Sequence, residues 1–411
     1  MRKILFVFSL LLSLTVTAQR NTLSYYINTA KANSPLLRDY RNQILSARLD
    51  SQILRASLKT QVNFIGSATH APVFPNGWGY DPALTNIWNI TAIVQATHNF
   101  ITKGNLSAQI ATLALQARGI QDTIRISEQD LVKSITDQYI TTYGDQLTEE
   151  FNREVLDLLK REDLVLKRLT QASIYKQADY LSFYVTLQQQ ELTTMQSRIQ
   201  RDADFLTLNY LAGINDTTVQ RVSKPEIPDS MRTGLYESIF FQRFVTDSLR
   251  LANQKAIIDY QYKPRIGAYV DAGYMSSLAD HPYKNFGMSM GVSLNIPLYD
   301  GHQKQFKYEQ LALREDTRTG NRDFFINQYR QQSAMLRLQL SALDLFESKI
   351  QQQITAVHTL IKANERLLET GDIKITDQVL AINNYLSARN LLNQNLISRL
   401  KIMNQINYWN R

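Results

Sequence analysis

Four stretches of the sequence alternate between apolar and small or polar residues, and this pattern constrains the fold more than any other feature. Between Asn285 and Leu298 the even positions are apolar, whereas the odd positions hold Asn, Gly, Ser or Pro. Successive side chains of a β-strand point to opposite faces, so a period of two predicts a strand with one apolar face. We predict four such strands, at residues about 60–70, 86–101, 264–275 and 285–299.

The predicted strands have two interpretations. In a soluble protein, the apolar face of such a sheet would pack on a core. Strands of about 10 to 14 residues also match transmembrane β-strands, which carry aromatic residues near both membrane surfaces. Five aromatic residues lie near the ends of the predicted strands: Trp88, Phe100, Tyr274, Phe286 and Tyr299. We favour the membrane interpretation, because the chain also carries an export signal.

The N-terminal residues have the pattern of a signal peptide. Two basic residues precede an apolar run over residues 4–16, and Val16-Thr17-Ala18 suits cleavage before Gln19. An uncleaved anchor helix is the alternative, but about 13 apolar residues are too few to cross a bilayer. We therefore predict a cleaved signal peptide at residues 1–18. The chain has no cysteine, so we expect no lipid anchor at the new N-terminus.

Four strands from one chain cannot form a closed barrel. In lipid every backbone N–H and C=O needs a partner, and single-chain barrels start at about eight strands. Symmetric assembly solves this problem, because several chains together supply enough strands. A barrel of about eight strands fills its interior with side chains, whereas a larger one leaves a channel. The small side chains of the polar face favour the open channel and hence three chains.

The chain also repeats itself at an offset of about 200 residues. The matching pairs are residues 58–62 with 262–266, 100–104 with 297–301, and 169–181 with 368–379. Their common order divides the mature chain into two similar repeats, at residues 19–213 and 229–411. Residues 214–228 carry Asn-Asp and two prolines and form a predicted linker. Each repeat is predicted to contain a helix, two strands, a long helix, a turn and a helix.

Long helices are predicted in both repeats. Residues from about 105 to 168 and from about 303 to 367 contain no proline, which allows helices of about 95 Å at 1.5 Å per residue. In the second of them, four apolar residues recur every seven positions, the spacing of a coiled coil: Leu336, Leu343, Ile350 and Val357. Shorter helices are predicted at about 34–59, 177–212, 229–260 and 376–408. Two short helices placed end to end match each long helix in length, an arrangement that would form a wall of helices. A surface fibre or stalk is the alternative.

Composition argues against catalysis, metal binding and nucleic-acid binding. The absence of cysteine excludes thiolate zinc sites and cysteine nucleophiles, and the five histidines form no closely spaced pair on a helix. No nucleophile, phosphate-loop or dinucleotide motif occurs. After removal of residues 1–18, 43 basic and 37 acidic residues leave a net charge of +6 without a run of like charge. We therefore predict no enzyme activity, no cofactor and no nucleic-acid partner.

The sequence resembles the TolC-type outer-membrane factors of efflux pumps and type I secretion systems over essentially the whole mature chain. The resemblance rests on the duplicated order of elements and on three segments, at residues 262–266, 297–301 and 371–380. It implies a mainly helical fold with a transmembrane β portion. Three copies would form a twelve-strand β-barrel in the outer membrane of a Gram-negative bacterium, continuous with a periplasmic α-barrel of twelve helices.

The resemblance also implies partners. A periplasmic adaptor and an inner-membrane transporter, of the RND or ABC type, engage the closed end of such tunnels. Small molecules or proteins then pass to the exterior. A porin-like protein, or a structural coiled-coil protein of the surface without an active transporter, is the alternative.

Candidate functional residues lie at the two helical turns, about residues 169–176 and 368–375. The resemblance places the docking of the adaptor at these turns, at four residues: Ser173, Lys176, Gly371 and Lys374. Ser173 is less permissive than glycine, so we expect the two turns to dock differently. Asp179 and Asp377 match acidic positions of the tunnel entrance, where three copies of each would attract cations. Capping of a helix start is the alternative role.

The sequence departs from the family at the gate. Leu368 and Ile373 stand where TolC-type proteins carry a Tyr and an Arg, and Leu380 stands at a second acidic position. Closure must therefore use other contacts, such as Lys176 or Lys374 against an aspartate of a neighbouring chain. Four further residues mark the strand-to-helix junctions: Gly104, Pro297, Asp300 and Gly301.

Overall fold

The computed structural model describes residues 21–410 except 73, 76, 81–87, 228–233 and 279–280. The predicted signal peptide at residues 1–18 lies outside the described residues, and so does the last residue of the predicted linker.

Seven α-helices are present in the described part of the chain. They are α1 (Leu23–Asn33), α2 (Pro35–Ser57), α3 (Lys103–Gln171), α4 (Gln177–Leu211), α5 (Ile239–Gln261), α6 (Gln303–Thr370) and α7 (Ile375–Trp409). The two long helices of the prediction are α3, with 69 residues, and α6, with 68 residues. Among the described helices, none is both long enough and apolar enough to cross a bilayer.

Four strands form one antiparallel sheet, in the order in which they occur in the chain. They are β1 (Gln61–His70), β2 (Trp88–Phe100), β3 (Arg265–Ser276) and β4 (Phe286–Asn295). Because β2 pairs with β3, the sheet joins the two halves of the sequence. Within the described sheet, β1 and β4 each pair on one side only, so their outer edges are open. The predicted fold class, mainly helical with two strand hairpins in repeated units, is confirmed.

The register confirms the apolar face predicted from the alternation. One row of apolar side chains crosses all four strands: Val62, Ala96, Val270 and Met290. Much of this face is uncovered in the single chain, where Phe286 is 73% exposed and Met290 is 75% exposed. A contiguous exposed apolar surface marks a contact with lipid or with another protein.

The fourth strand is shorter than predicted. It ends at Asn295, which pairs with the first residue of β3, rather than near residue 299. Pro297 has no N–H to donate to a strand ladder, so pairing cannot continue past it. Leu298 and Tyr299, which are 93% and 80% exposed, therefore follow the strand instead of belonging to it.

One helix was missed and one begins later than predicted. The helix expected from about residue 34 is preceded by α1, and Ser34 separates the two. Ser34 is extended, its hydroxyl accepts a hydrogen bond from the N–H of Leu37 at 3.3 Å, and Pro35 takes the first position of α2. Both features are favourable at a helix start.

The helix predicted from about residue 229 begins at Ile239. The preceding residues Leu235–Glu237 form a 3-10 turn, and Ser238 is extended. The Ser238 hydroxyl accepts a hydrogen bond from the N–H of Phe240 at 3.3 Å and so caps α5.

The described chain folds into two compact units that cut across the two repeats. One unit comprises Tyr40–Asp122 and Gln242–Arg322 and includes the sheet. The other comprises the described parts of Met1–Asp39, Thr123–Phe241 and Asp323–Arg411, and includes both helical turns. Each repeat therefore contributes strands to one unit and a helical turn to the other.

The unit with the helical turns has two apolar cores among its described residues. In one core the hydroxyl of the buried Tyr139 lies 2.7 Å from the carbonyl oxygens of both Asn21 and Ser223, which share its single O–H donor. These bonds attach the segment before α1 and the linker to α3. The other core contains Phe183, Leu368 and nine further buried apolar residues from α3, α4, α6 and α7.

A buried ion pair joins α3 to α4. The Glu149 side chain is 2% exposed and accepts a hydrogen bond from Arg201 at 2.9 Å, as well as one from Arg153. Two arginines around one carboxylate offset the cost of removing that charge from water.

A carboxyl pair lies one helical turn away, where Asp145 of α3 meets Asp204 of α4. Burial, followed by the hydrogen bond and charge of Asp204, raises the pKa of Asp145 to about 7, although Lys401 acts in the opposite direction. Burial works against ionisation of Asp204 as well, but hydrogen bonds from Asp145, Gln200 and Gln138 lower its pKa. Below about pH 7, Asp145 is therefore the protonated member of the pair and Asp204 the ionised one.

Candidate functional site

The two helical turns have the same backbone conformation. Ser173 and Gly371 occupy equivalent positions and are both left-handed, with φ angles of 61° and 79°. The N–H that follows each of them bonds to the carbonyl five residues earlier, at 3.0 Å in both turns, which closes the preceding helix. A serine in the left-handed region of backbone conformation is strained relative to glycine, yet Ser173 adopts the same conformation as Gly371.

The helices that leave the turns also begin alike. Lys176 and Lys374 are the N-cap residues, with extended backbones and no capping hydrogen bond from their side chains. Asp179 and Asp377 lie in the first helical turn, each with its N–H bonded to the carbonyl of the N-cap lysine at 3.0 Å. Neither aspartate is thus the N-cap, and in the described part of the chain neither carboxylate receives a hydrogen bond. Each has only the favourable interaction with the helix N-terminus.

Tyr175 connects the two turns. Its hydroxyl lies 2.9 Å from the carbonyl oxygen of Leu368 and 3.0 Å from that of Ile373, so one phenol from the first turn bridges both sides of the second. Burial and the neighbouring charge of Asp372 raise the pKa of Tyr175, which keeps the phenol neutral and able to donate. Sequence reasoning missed this residue, although Tyr175 is the one aromatic residue in the predicted turn at residues 169–176.

The two gate positions that depart from the family pattern belong to the apolar core. Leu368 is 1% exposed, and Ile373 is partly buried against the same core. Their side chains therefore pack, while their backbone carbonyls accept the hydrogen bonds of Tyr175. Leu380, in contrast, is 60% exposed.

The junction between β4 and α6 is a tight turn. Gly301 and His302 are both left-handed, at 66° each, and glycine accommodates this conformation without strain. The Asp300 carboxylate accepts a hydrogen bond from the N–H of Lys304 at 2.8 Å, and this bond, the largest influence, lowers the pKa of Asp300. Asp300 therefore ends the turn by capping α6.

At the junction between β2 and α3, Gly104 is required by packing. The phenol of Tyr260, from the end of α5, lies where a Cβ atom at position 104 would be. Lys263 in turn lies over the Tyr260 ring, with its Nζ 4.3 Å from the ring centroid. Gly104 thus allows α5 and α3 to meet beside the sheet.

The predicted interface aromatics lie at both ends of the sheet. At one end, Trp88 is 4.5 Å from His70 and Tyr274 is 5.2 Å from Phe286, measured between ring centroids. Phe100 is the last residue of β2 at the other end, where Tyr299 follows β4. These aromatic residues belong to the unit that contains the sheet, whereas the helical turns belong to the other unit.

An exposed apolar stripe runs along α4. Its members recur at spacings of three, four and seven residues, as on the contact face of a coiled coil: Leu181, Val185, Leu192, Met195, Ile199 and Leu206. Leu192 is 56% exposed and Ile199 is 69% exposed. On α6, Leu338 and Leu345 are similarly exposed, at 71% and 66%. We call these surfaces the α4 stripe and the α6 stripe.

Comparison with known proteins identifies the fold. No protein-family model matches this sequence, and no curated protein matches it significantly. The outer membrane protein VceC of Vibrio cholerae is 14% identical, with a TM-score of 0.76 over 94% of this chain and 96% of that chain. The CmeC outer membrane channel of Campylobacter jejuni is 12% identical, with a TM-score of 0.73 over 94% of this chain and 85% of that chain.

CusC, whose crystal structures concern transmembrane channel formation, gives a similar result. It is 12% identical, with a TM-score of 0.77 over 94% of this chain and 92% of that chain. The chain therefore has the fold of these outer-membrane channels, as the resemblance predicted.

Proposed function

We propose that three copies of this chain form a channel through the outer membrane of a Gram-negative bacterium. The channel would continue as a periplasmic tunnel and receive small molecules or proteins from an inner-membrane transporter and its adaptor. The observation that carries the proposal is a four-stranded sheet with an uncovered apolar face and two open edges. The shared fold with VceC, CmeC and CusC supports it.

The open edges favour assembly over a monomer. A strand edge in lipid leaves backbone N–H and C=O groups without partners, at a cost of several kcal/mol each. Pairing β4 of one copy with β1 of the next satisfies both edges, and three copies give a ring of twelve strands. The α4 and α6 stripes supply apolar surfaces for the helices of neighbouring copies.

We place the docking of the adaptor at the helical turns. The sequence led us to expect different docking at the two turns, because Ser173 stands in place of a glycine in the first. Since Ser173 and Gly371 are both left-handed, we propose instead that a trimer offers six similar docking positions around its end. Ser173, Lys176, Gly371 and Lys374 are the candidate contact residues, and all four are exposed. Asp179 and Asp377 would add a ring of carboxylates beside them that attracts cations.

Site-specific cross-linking tests this proposal in cells. The chain has no cysteine, so Lys374→Cys introduces its only thiol and can carry a photoactivated cross-linker. We expect an adaptor protein to be captured at this position. Lys284→Cys, in the hairpin between β3 and β4, is the matched control and should capture no adaptor.

Deletion of the gene tests the transport role. We expect cells without the chain to become sensitive to dyes, bile salts or drugs, or to stop secreting one protein. Native mass spectrometry of the purified protein should give the mass of three chains. Cells with neither defect and no adaptor capture would contradict the proposal and favour a passive or structural surface protein.

A further inference from the structure

The four described strands contain only one acidic side chain, Asp271 in the middle of β3. The only other charged residue in them, apart from histidine, is Arg265 at the first position of the same strand. Arg265 is six positions away, about 20 Å along a strand at 3.3 Å per residue. This exceeds the Debye length of about 8 Å at physiological salt, so Arg265 does not neutralise Asp271 through solvent.

Asp271 belongs to a polar row that crosses the whole sheet. The register aligns one residue from each strand: Asn63, Gln95, Asp271 and Ser289. The row lies on the face opposite Val270 and Met290, since side chains alternate along a strand. The Ser289 hydroxyl lies 2.9 Å from both carboxylate oxygens of Asp271, which orients the carboxylate without removing its charge.

The rows on either side of Asp271 are neutral. One contains Thr97, Tyr269 and Gly291, and the Tyr269 ring lies directly over Gly291. The other contains Ile93, Gly273 and Gly287. Asp271 is thus the one fixed charge in the central part of this face.

We propose that Asp271 makes the barrel selective for cations and cationic cargo. The inference rests on the proposed trimer, in which the apolar face contacts lipid and the polar face lines the channel. Threefold symmetry then places three Asp271 carboxylates at one level, in a ring whose other members are the amides of Asn63 and Gln95 and the hydroxyl of Ser289. Rings of acidic side chains concentrate cations and exclude anions in channels.

The reversal potential of purified trimers in planar bilayers measures this selectivity. Under a potassium chloride gradient, we expect the wild-type channel to prefer potassium and Asp271→Asn to reduce the permeability ratio several-fold. Asp271→Glu keeps the charge and should keep the preference. Asp157→Asn removes a carboxylate from an exposed position of α3, outside the sheet, so it is the matched control and should leave the ratio unchanged.

A second variant covers the case in which Asp271→Asn does not assemble. Ser67 lies on the polar face of β1, in register with Thr91 and Met275, so Ser67→Asp adds a second ring of carboxylates. We expect a higher preference for potassium. Conducting trimers whose ratio is unchanged by Asp271→Asn, or by Ser67→Asp, would overturn this inference alone. A wild-type protein that forms no conducting trimer would overturn the proposed channel as well.

Discussion

Tyr175 joins two parts of the chain that are nearly 200 residues apart in sequence. Its phenol bonds to the backbone at Leu368 and Ile373, the two positions where the family resemblance expects a Tyr and an Arg. Contacts to backbone carbonyls do not depend on the side chains at those positions. The link between the two turns is therefore made within one chain. The side chains at the two gate positions give no indication of it.

Replacing this phenol tests its role. Tyr175→Phe keeps the ring but removes the donor, so we expect a loss of about 1 kcal/mol in the free energy of unfolding. Amide hydrogen exchange should become faster in residues 371–376, which measures the loosening directly. Tyr184→Phe, on the exposed side of α4, is the control and should leave exchange at the turns unchanged. Equal exchange in both variants would contradict the bridging role.

The raised pKa of Asp145 predicts that the free energy of unfolding depends on pH in an unusual way. Its pKa is about 7 in the folded chain and near 3.8 in the unfolded chain. Between about pH 4 and pH 7 the folded chain therefore holds a proton that the unfolded chain has lost, so this group makes the free energy of unfolding fall as the pH rises. Above pH 7 its contribution is constant.

A neutral substitute should remove this dependence. We expect Asp145→Asn to unfold at a higher temperature than the wild type at pH 8, with little difference at pH 4. Asp157→Asn, on an exposed face of the same helix, should follow the wild type at both values. The thermal unfolding midpoint as a function of pH measures the effect, and parallel curves for Asp145→Asn and the wild type would refute it.

At the residue scale, Asp300 and Gly301 were recognisable from the sequence as residues of a strand-to-helix junction, and both lie between β4 and α6. Tyr175 and the Asp145–Asp204 pair were not recognisable, since their partners lie far away in sequence and only packing brings them together. The docking and entrance roles of the turn residues remain predictions.

At the level of elements, the α4 stripe is a helix face that the described part of its own chain leaves exposed. Its residues are spaced for a coiled coil, yet they are exposed. A soluble helix would carry polar residues there, because exposed apolar stripes of this length favour association. The stripe is therefore suited to contact with a second copy.

Charge on the stripe should prevent assembly but not folding. We expect Leu192→Glu with Ile199→Glu to yield folded single chains, because both side chains are exposed and support no core. Native mass spectrometry then reports the loss of the trimer, and circular dichroism confirms the helix content. Gln189→Glu with Gln196→Glu places the same charge beside the stripe and should still assemble. Trimers from both pairs would show that the stripe is not an interface.

Elements whose apolar residues recur at a regular spacing were predictable, but the ends of these elements were less so. The strands were predictable from the alternation of apolar and polar residues, and the long helices from segments without proline and from apolar residues that recur every seven positions. The end of β4 was placed too late, although Pro297 marks it. The start of α5 was also misplaced, because the residues before Ile239 suit a helix and the cap at Ser238 is visible only in the structure.

At the scale of the whole molecule, the entrance role proposed for Asp179 and Asp377 requires that copies assemble. Asp179 and Asp377 are single charges at helix starts in one chain, but a trimer would hold six of them. A ring that binds cations tightly slows their exit, since conduction requires ions to leave as well as enter. We therefore expect Asp179→Ala with Asp377→Ala to increase ion conductance in planar bilayers. Asp157→Ala should leave conductance unchanged.

A result on selectivity completes this test. If Asp179→Ala with Asp377→Ala changes neither the conductance nor the cation preference, these residues act only at the start of their helices. Because Asp271 lies in β3 and not at the turns, its contribution can be measured separately in the same experiment.

The strand order has one more consequence. Because the four strands follow chain order, every contact between sheets in the proposed ring joins β4 of one copy to β1 of the next. An open arc of two copies would still expose two strand edges to lipid, so only closure of the ring gives every backbone group a partner. One copy with a damaged β1 or β4 would therefore prevent closure for the two normal copies that join it. Mutations in these strands should accordingly be dominant in cells that also make the normal chain.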